Sequence, residues 1–237
     1  MKIWFTLLSS LLFCCSAIAD DAFVELSKHL EKTPALVVMV CEGNEGDLVT
    51  ISGLVKQTPW TIFCRGTTSS GLVNIRDWAR EQGILGGRVY VVDDNGTSLW
   101  LAGDLADAVW VAPGMNNPPS RKEILRVLHP GGVCVASGKV VFKPAQSGVD
   151  EWNHPYHGPD NNVVSQDQTA RLPGELRFQT YPVFAAMPNQ TLFADGRIFF
   201  FSGHIAFHER EEPLLNTLTV LNAYNGLRLW SRPLDPR

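Results

Sequence analysis

A short apolar segment at residues 35–40 opens the stretch around which the chain is organised. Its residues, several of them β-branched, are typical of a strand that is buried on both faces of a parallel sheet. A turn containing Gly43 and Gly46 follows, and then come Asp47 and a predicted helix over residues 48–57. A strand, a glycine turn and a helix N-terminus form a common cradle for an anionic or nucleotide ligand. They fit an ordinary turn between a strand and a helix equally well.

Short apolar runs and helical spacings continue to alternate up to residue 143. They predict helices over residues 21–32, 72–82 and 120–128, and strands over residues 60–64, 88–92, 104–112 and 133–137. Residues 129–132, His-Pro-Gly-Gly, are predicted to form the turn before the fifth strand. This alternation predicts an α/β fold with a Rossmann-like parallel sheet in the strand order 3-2-1-4-5.

The pattern changes after a short linker at residues 144–148. Residues 150–162 are polar, aromatic and rich in turn formers, which predicts an ordered loop packed on a β-domain. Turn signals then separate predicted strands over residues 198–202, 218–223 and 227–233. We therefore expect a first domain over residues 20–143 and, over residues 144–237, an antiparallel part that does not join the first sheet.

Residues 1–19 have the pattern of a secretory signal peptide. Lys2 supplies the positive start, residues 3–15 are apolar, and Ala17-Ile18-Ala19 forms the cleavage site. A lipoprotein signal at Cys14 or Cys15 is disfavoured, because neither cysteine follows a small residue. The sequence predicts export to the periplasm or the extracellular space, with no membrane span after the signal is removed.

The composition is that of a folded protein, with 45% hydrophobic residues, 19% charged residues and a formal net charge of −4. The absence of a basic stripe argues against a nucleic-acid partner. Export would leave Cys41, Cys64 and Cys134, which are interpreted as small core residues, although a disulfide between Cys41 and Cys64 stays open. His154 and His157 are interpreted as hydrogen-bonded loop residues, because no further ligand cluster accompanies them, and no metal site is predicted.

Part of the chain resembles a known enzyme family. Residues 123–136, E-I-L-R-V-L-H-P-G-G-V-C-V-A, resemble the helix, P-G-G turn and fifth strand of class I S-adenosylmethionine (SAM)-dependent methyltransferases. Residues 104–112 resemble the fourth strand of that family, and residues 36–48 lie where it carries its glycine motif. If the site is retained, the resemblance implies that SAM is held by six residues: Glu42, Gly43, Gly46, Arg65, Asp93 and Asp94.

Other features depart from the family pattern. The glycine motif is at least one glycine short, and Glu45 brings a carboxylate to where the methionine carboxylate of SAM would lie. Arg65 stands where the family has an acidic residue for the ribose hydroxyls, and a guanidinium accepts no hydrogen bond. The sequence after the fifth strand does not suggest the antiparallel sixth and seventh strands of the family. These departures, together with export away from a cytoplasmic cofactor, predict a domain that has lost catalysis.

The second part of the chain resembles one blade of a PQQ-like β-propeller. The match is carried by Ala223-Tyr224-Asn225-Gly226-Leu227-Arg228-Leu229-Trp230, and Trp230 is expected to wedge between blades. An unrelated β-hairpin is the alternative. Because a propeller has about four to eight blades, we expect this chain to be the N-terminal part of a longer protein.

Three functions stay open on the sequence alone, and with them the question of whether the protein is an enzyme. The favoured one is an exported binding or scaffold module with a degenerate methyltransferase-like domain, no cofactor and an unspecified protein or small-molecule partner. The second is an active methyltransferase, with Gly43, Gly46 and Asp93 or Asp94 holding SAM. The third is a quinoprotein dehydrogenase whose quinone ligands lie outside this sequence, since this stretch does not support PQQ binding.

Overall fold

The computed structural model describes residues 22–30, 33–66, 69–93, 98–115, 117–170, 174, 176–180 and 188–234. The predicted signal peptide lies outside this part of the chain. The chain divides into two compact units, Met1–Pro144 and Ala145–Arg237. None of the described helices has the length and apolar character that are needed to cross a membrane.

The first unit is built on a mixed sheet of six strands. The strands are β1 Leu36–Cys41, β2 Thr61–Gly66, β3 Val89–Asp93, β4 Ala106–Val111, β5 Leu128–Ala136 and β6 Lys139–Phe142. The first five strands are parallel in the order β3-β2-β1-β4-β5, and β6 pairs antiparallel with β5. The predicted order of the parallel strands is therefore confirmed, with β1 at the centre between β2 and β4.

Four α-helices lie in the described part of this unit: α1 residues 22–27, α2 Glu45–Gln57, α3 Ser69–Glu81 and α4 Arg121–Val127. Val37 and Met39 of β1 belong to the apolar cluster that includes residues of α1, α2 and α3. Val38 and Val40 belong to a second cluster, which includes residues of α4. Alternate residues of a strand point to opposite faces, so β1 is buried on both sides, as its apolar run predicts.

The β5–β6 hairpin differs from the prediction. The sequence predicts a turn at residues 129–132, but these residues belong to β5, whose pairing with β4 is irregular between Ala106 and Ala108. Gly131, at φ 84°, donates its N–H to Lys143 O at 2.9 Å. Gly131 therefore lies inside a paired strand, where glycine tolerates a positive φ that would strain other residues. An antiparallel strand, β6, follows directly, contrary to the expectation that the chain has none there.

Two predicted boundaries near the glycine turn are also wrong. The helix α2 begins at Glu45, so Gly46 lies in its first turn rather than in the loop before it. The strand β2, predicted over residues 60–64, continues through Arg65 to Gly66, so Arg65 is a strand residue. In both cases backbone pairing extends the element past residues whose type predicts a loop.

The second unit contains a separate antiparallel sheet of four strands. These are β7 Pro188–Ala194, β8 Arg197–Ser202, β9 Thr217–Asn222 and β10 Arg228–Pro233. Each strand pairs with the next one along the chain, and the sheet shares no strand with the first one. The prediction of an antiparallel part that does not join the first sheet is confirmed.

Short turns connect the strands of the second sheet. Asp195 and Gly196, at φ 49° and 67°, form the two-residue connection between β7 and β8. The predicted turn at Asn225 and Gly226 lies between β9 and β10, where Gly226 has φ 72°. A 3₁₀ helix, Glu209–Leu214, separates β8 from β9 and is not predicted by the sequence pattern. As expected, residues 188–234 contain no long helix.

Candidate functional site

The predicted cofactor residues lie near the carboxyl ends of neighbouring strands in the first sheet. Glu42 and Gly43 are in the turn between β1 and α2, and Gly46 is in the first turn of α2. Arg65 is the penultimate residue of β2. Two predicted residues lie outside the described side chains, Asp93, which ends β3, and Asp94.

The carboxylate of Asp47 occupies the hydrogen-bond donors of the turn after β1. Its Oδ2 atom accepts from the backbone N–H groups of Glu42, Gly43 and Asn44 at 3.1, 2.8 and 3.1 Å. The Asn44 side chain accepts from Asp47 N at 3.0 Å, which completes a capping box at the start of α2. Burial raises the pKa of the Asp47 carboxyl, and the three backbone donors act in the opposite direction. A buried carboxylate of the chain itself thus holds the donors that an anionic ligand would need.

The start of α3 packs directly against this turn. Gly43 has φ 84°, and a Cβ atom on it would lie 2.7 Å from Gly71 Cα and 2.8 Å from Leu72 N. A Cβ atom on Gly71 would lie 2.5 Å from Glu42 O and 2.6 Å from Gly43 O. The two backbones are therefore in contact, with no room for a side chain between them.

Two residues that the sequence predicts to oppose a cofactor have very different surroundings. Glu45 is exposed at the first position of α2. Arg65 is 1% exposed and pairs in register with Val40, which places it on the sheet face that α4 covers in part. The residue that fills the turn is Asp47, for which no role is predicted from the sequence. The spacing of Asn44 and Asp47 at a helix start is that of a capping box, and this signal could have identified it.

The cysteines of the first unit belong to its core. Cys41, Cys64 and Cys134 are free and buried. Burial raises the pKa of Cys41 to about 12 and that of Cys134 to about 11, and it raises the pKa of Cys64 well above its usual value. Because the thiolate is the nucleophilic form of cysteine, burial disfavours the reactive form of all three thiols. Their interpretation as small core residues agrees with the structure.

A second polar cluster lies at the opposite edge of the sheet, where β4 and β5 begin. Asp107 Oδ1 is 3.1 Å from His129 Nε2, and Asp107 Oδ2 accepts from Leu36 N at 2.7 Å. Lys143 Nζ donates to Asp104 Oδ1 at 2.5 Å nearby. These contacts connect β1, β4, β5 and the chain after β6, so this cluster holds the strand starts together.

The stability of the first unit is expected to depend on the protonation of His129. Burial acts to lower the pKa of His129, but the hydrogen bond and charge of Asp107 outweigh it, so the pKa lies above its usual value. The stabilisation is complete below the unfolded pKa of about 6.5 and is lost as the pH rises through the folded pKa. Urea unfolding at about pH 5.5 and about pH 8.5 should therefore show a loss of stability that shrinks in His129→Gln. The control His154→Gln, in the second unit, should lose as much stability between these two pH values as the parent protein does. If His129→Gln also loses as much as the parent, the assignment to His129 is wrong.

The predicted loop at residues 150–162 is ordered by a carboxylate in the second unit. Asp150 Oδ2 accepts from Gln166 N at 2.6 Å and lies 2.7 Å from His157 Nε2, and these bonds, led by the one from Gln166, lower the pKa of Asp150 to about 2. The other ring nitrogen of His157 is 3.1 Å from Asn162 O, and His154 Nδ1 is 2.6 Å from the Asn153 side chain. Both histidines are hydrogen-bonded within the loop. Among the described residues, no group of three or more metal-binding side chains is present.

No protein-family model matches the chain, and no curated protein matches its sequence. Solved structures with a similar fold include the [4+2]-cyclase SpnF, at 22% identity and a TM-score of 0.41 over 58% of this chain and 51% of that one. Geranyl diphosphate methyltransferase in complex with SAM is similar at 17% identity and a TM-score of 0.40, over 50% of this chain and 47% of that one. A third structure is geranyl diphosphate C-methyltransferase from Streptomyces coelicolor A3(2), in complex with Mg²⁺, geranyl diphosphate and S-adenosyl-L-homocysteine. It is similar at 18% identity and a TM-score of 0.41, over 50% of this chain and 43% of that one.

The chain spans about half the length of these structures. The solved neighbours of this chain thus include SAM-dependent methyltransferases.

Proposed function

We propose that the chain is an exported, noncatalytic binding module whose first unit has a methyltransferase-like fold but does not bind SAM. The observation that carries this proposal is the Asp47 carboxylate, which accepts from three consecutive backbone N–H groups of the glycine turn. In the family that the sequence resembles, the methionine carboxylate of SAM lies at this turn. The carboxylate of a ligand would find these N–H groups already bonded to Asp47, and it would be repelled by the negative charge of that side chain.

Electrostatic magnitudes support exclusion of the cofactor. Two carboxylates about 4 Å apart repel each other by about 1 kcal/mol in water and by about 4 kcal/mol at an effective dielectric constant of about 20. Asp47 is only 9% exposed, so water screens its charge poorly. Missing even one charge-assisted hydrogen bond costs about 1.5 to 3 kcal/mol. Together these terms weaken binding by about 10²-fold or more, which moves a micromolar site to about 10⁻⁴ M or beyond.

The neighbouring region is unfavourable for the cofactor as well. The backbone of Gly71, at the start of α3, contacts the turn at Glu42 and Gly43. Arg65 lies buried where the family uses an acidic residue to accept from both ribose hydroxyls. A cofactor at this turn would meet the backbone of α3 beside it and would lack an acceptor for its ribose at the Arg65 position.

We propose that the second unit is one blade of a PQQ-like propeller. Its four antiparallel strands follow one another in space as they do along the chain, which is the arrangement of a propeller blade. Trp230 on the edge strand β10 and Phe193 on β7 are each 43% exposed. Exposed aromatic side chains, and the outer edge of β10, are suited to packing against another blade or a partner protein. Quinone or calcium ligands, and with them dehydrogenase activity, would have to come from other blades.

The cofactor part of this proposal is tested by calorimetric titration of the full chain with SAM. We expect no saturable heat at tens of micromolar, because the estimated affinity is about 10⁻⁴ M or weaker. Near-UV circular dichroism of the same sample establishes that the titrated protein is folded. An isotherm in the low micromolar range would overturn the proposal and favour the active methyltransferase.

A pair of variants distinguishes the buried carboxylate from the exposed one. Asp47→Asn removes the charge that occupies the turn, and Glu45→Gln removes an exposed charge two residues away. If Asp47 excludes the cofactor, Asp47→Asn should bind SAM several-fold more tightly than Glu45→Gln does. If the two variants have the same affinity for SAM, the packing of α3 against the turn, and not the Asp47 charge, is what excludes the cofactor.

A further inference from the structure

We propose that an apolar groove in the first unit binds a medium-chain aliphatic carboxylate. The groove lies between α4 and β6 and has a volume of 270 Å³. Its walls and floor are formed largely by apolar side chains, among them Val111, Pro119, Ile124, Leu125, Cys134 and Val141. This inference is independent of whether the glycine turn binds SAM, because none of the groove residues lies in that turn.

The groove results from the way the chain leaves β5. After Ala136 the chain turns back at once as β6, so no helix follows β5 in the described part of the first unit. The face of β5 and β6 beside α4 is therefore left with apolar residues such as Cys134, Ala136 and Val141 in an open groove. The segment that contains Pro118 and the start of α4 closes one side of it.

The volume sets the size of the occupant. A water molecule takes about 30 Å³ of liquid, so the groove has room for about nine groups of that size. A chain of about eight carbon atoms that ends in a carboxylate fills such a space. The apolar lining favours a hydrocarbon chain over a sugar or a nucleotide, which would leave polar groups without partners in the groove.

The charge at the groove favours an anion. Arg121 and Lys139 both line it and both are exposed, and neither has an ion pair or a side-chain hydrogen bond in the described part of the chain. The nearby Arg126 and Lys143 are instead paired with Glu123 and Asp104. Among the described residues, none of those that line the groove is acidic. Two available cations beside an apolar cavity match one carboxylate with an apolar tail.

The test is calorimetric titration of the full chain with octanoate, with octanol and acetate as comparisons. For about ten heavy atoms we expect an octanoate dissociation constant of about 10⁻⁴ M. Octanol should bind more weakly because it lacks the charge, and acetate should not bind because it lacks the chain. Methyl NMR shifts should be confined to the groove, at Ile124, Leu125 and Val141. Saturation absent up to millimolar octanoate, or shifts elsewhere in the protein, would overturn the proposal.

Variants locate the two parts of the ligand. Arg121→Gln and Lys139→Gln should each weaken octanoate binding about two- to fivefold, as expected for ion pairs at exposed positions. Lys122→Gln is the matched control, because it removes a charge from the same helix but does not line the groove. Ala136→Leu should abolish binding by filling the cavity without changing any charge. An equal effect of Lys122→Gln, or full binding by Ala136→Leu, would contradict the assignment.

Discussion

Gly43→Ala is expected to lower the free energy of unfolding of the first unit by about 4 kcal/mol. The residue has φ 84°, which strains any side-chain-bearing residue by about 1 to 2 kcal/mol. Its new Cβ atom would also lie 2.7 Å from Gly71 Cα and 2.8 Å from Leu72 N. No rotamer change relieves a contact with backbone, so either the β1 turn or α3 must move. A loss of this size is a large part of the stability of a typical domain.

The reciprocal variant, Gly71→Ala, separates the clash from the effect of backbone conformation. Gly71 lies in α3, where alanine in place of glycine should add about 1 kcal/mol of stability through helix propensity. Its Cβ atom, however, would lie 2.5 Å from Glu42 O, so we expect a net loss of about 2 kcal/mol. Gly87→Ala is the control, because the nearest atom to its Cβ, Ile84 O, is 3.8 Å away.

Urea unfolding followed by circular dichroism measures these stabilities, and hydrogen exchange at β1 and β2 assigns the loss to the first unit. Gly87→Ala should stay within about 0.5 kcal/mol of the parent. If Gly71→Ala instead stabilises the protein, the start of α3 does not rest on the turn in solution. In that case the steric argument against a cofactor fails, while the argument from the Asp47 charge stands.

The sheet order could be predicted from the sequence because each parallel strand is short, apolar and bounded by turn formers. Leu36–Cys41 is buried at five of its six positions, and Ala106–Val111 is buried throughout. Burial on both faces leaves little choice of register or neighbour. The turn at Asn225 and Gly226 was predictable for a different reason, since its conformation is set locally by the two residues themselves.

The features that the sequence did not predict depend on contacts between distant residues. β6 has only four residues, none of them fully buried, and its pairing is decided by β5. The His-Pro-Gly-Gly segment has the composition of a turn, yet backbone bonds to residue 143 hold it in a strand. Likewise, the pairing of His129 with Asp107 joins residues 22 positions apart. Propensity cannot reveal bonds of this kind.

The candidate site shows the same division between local and distant effects. The sequence predicts a glycine turn after β1, although Gly46 belongs to α2, and it places the carboxylate of Glu45 at that turn, where the structure has that of Asp47. Residue type alone did not distinguish Glu45 from Asp47, and their exposure does. The side chain at the third helical position can reach back to the N-terminal donors, whereas the first position points away from them. The position of a carboxylate within the first helical turn thus decides which one fills the turn.

Asp47→Ala is expected to destabilise the first unit by about 3 kcal/mol. The change removes the acceptor of three backbone N–H groups, at Glu42, Gly43 and Asn44, together with one half of the capping box. Asp47→Asn keeps an oxygen acceptor and gives up only the charge, which is itself disfavoured by burial, so its loss should be about 1 kcal/mol. Glu45→Gln, exposed in the same helical turn, should change the stability by less than about 0.5 kcal/mol.

Urea unfolding of these three variants gives their order of stability, and hydrogen exchange at residues 42–44 reports on the donors directly. In Asp47→Ala the amides of this turn should exchange much faster, because they have lost their acceptor, while those of β9 should be unchanged. Millimolar acetate or phosphate should then restore part of the protection by supplying an anion where the carboxylate was. If Asp47→Ala is as stable as Glu45→Gln and its turn amides stay protected, Asp47 does not hold the turn. The proposal that this chain excludes SAM would then have to rest on Arg65 and α3.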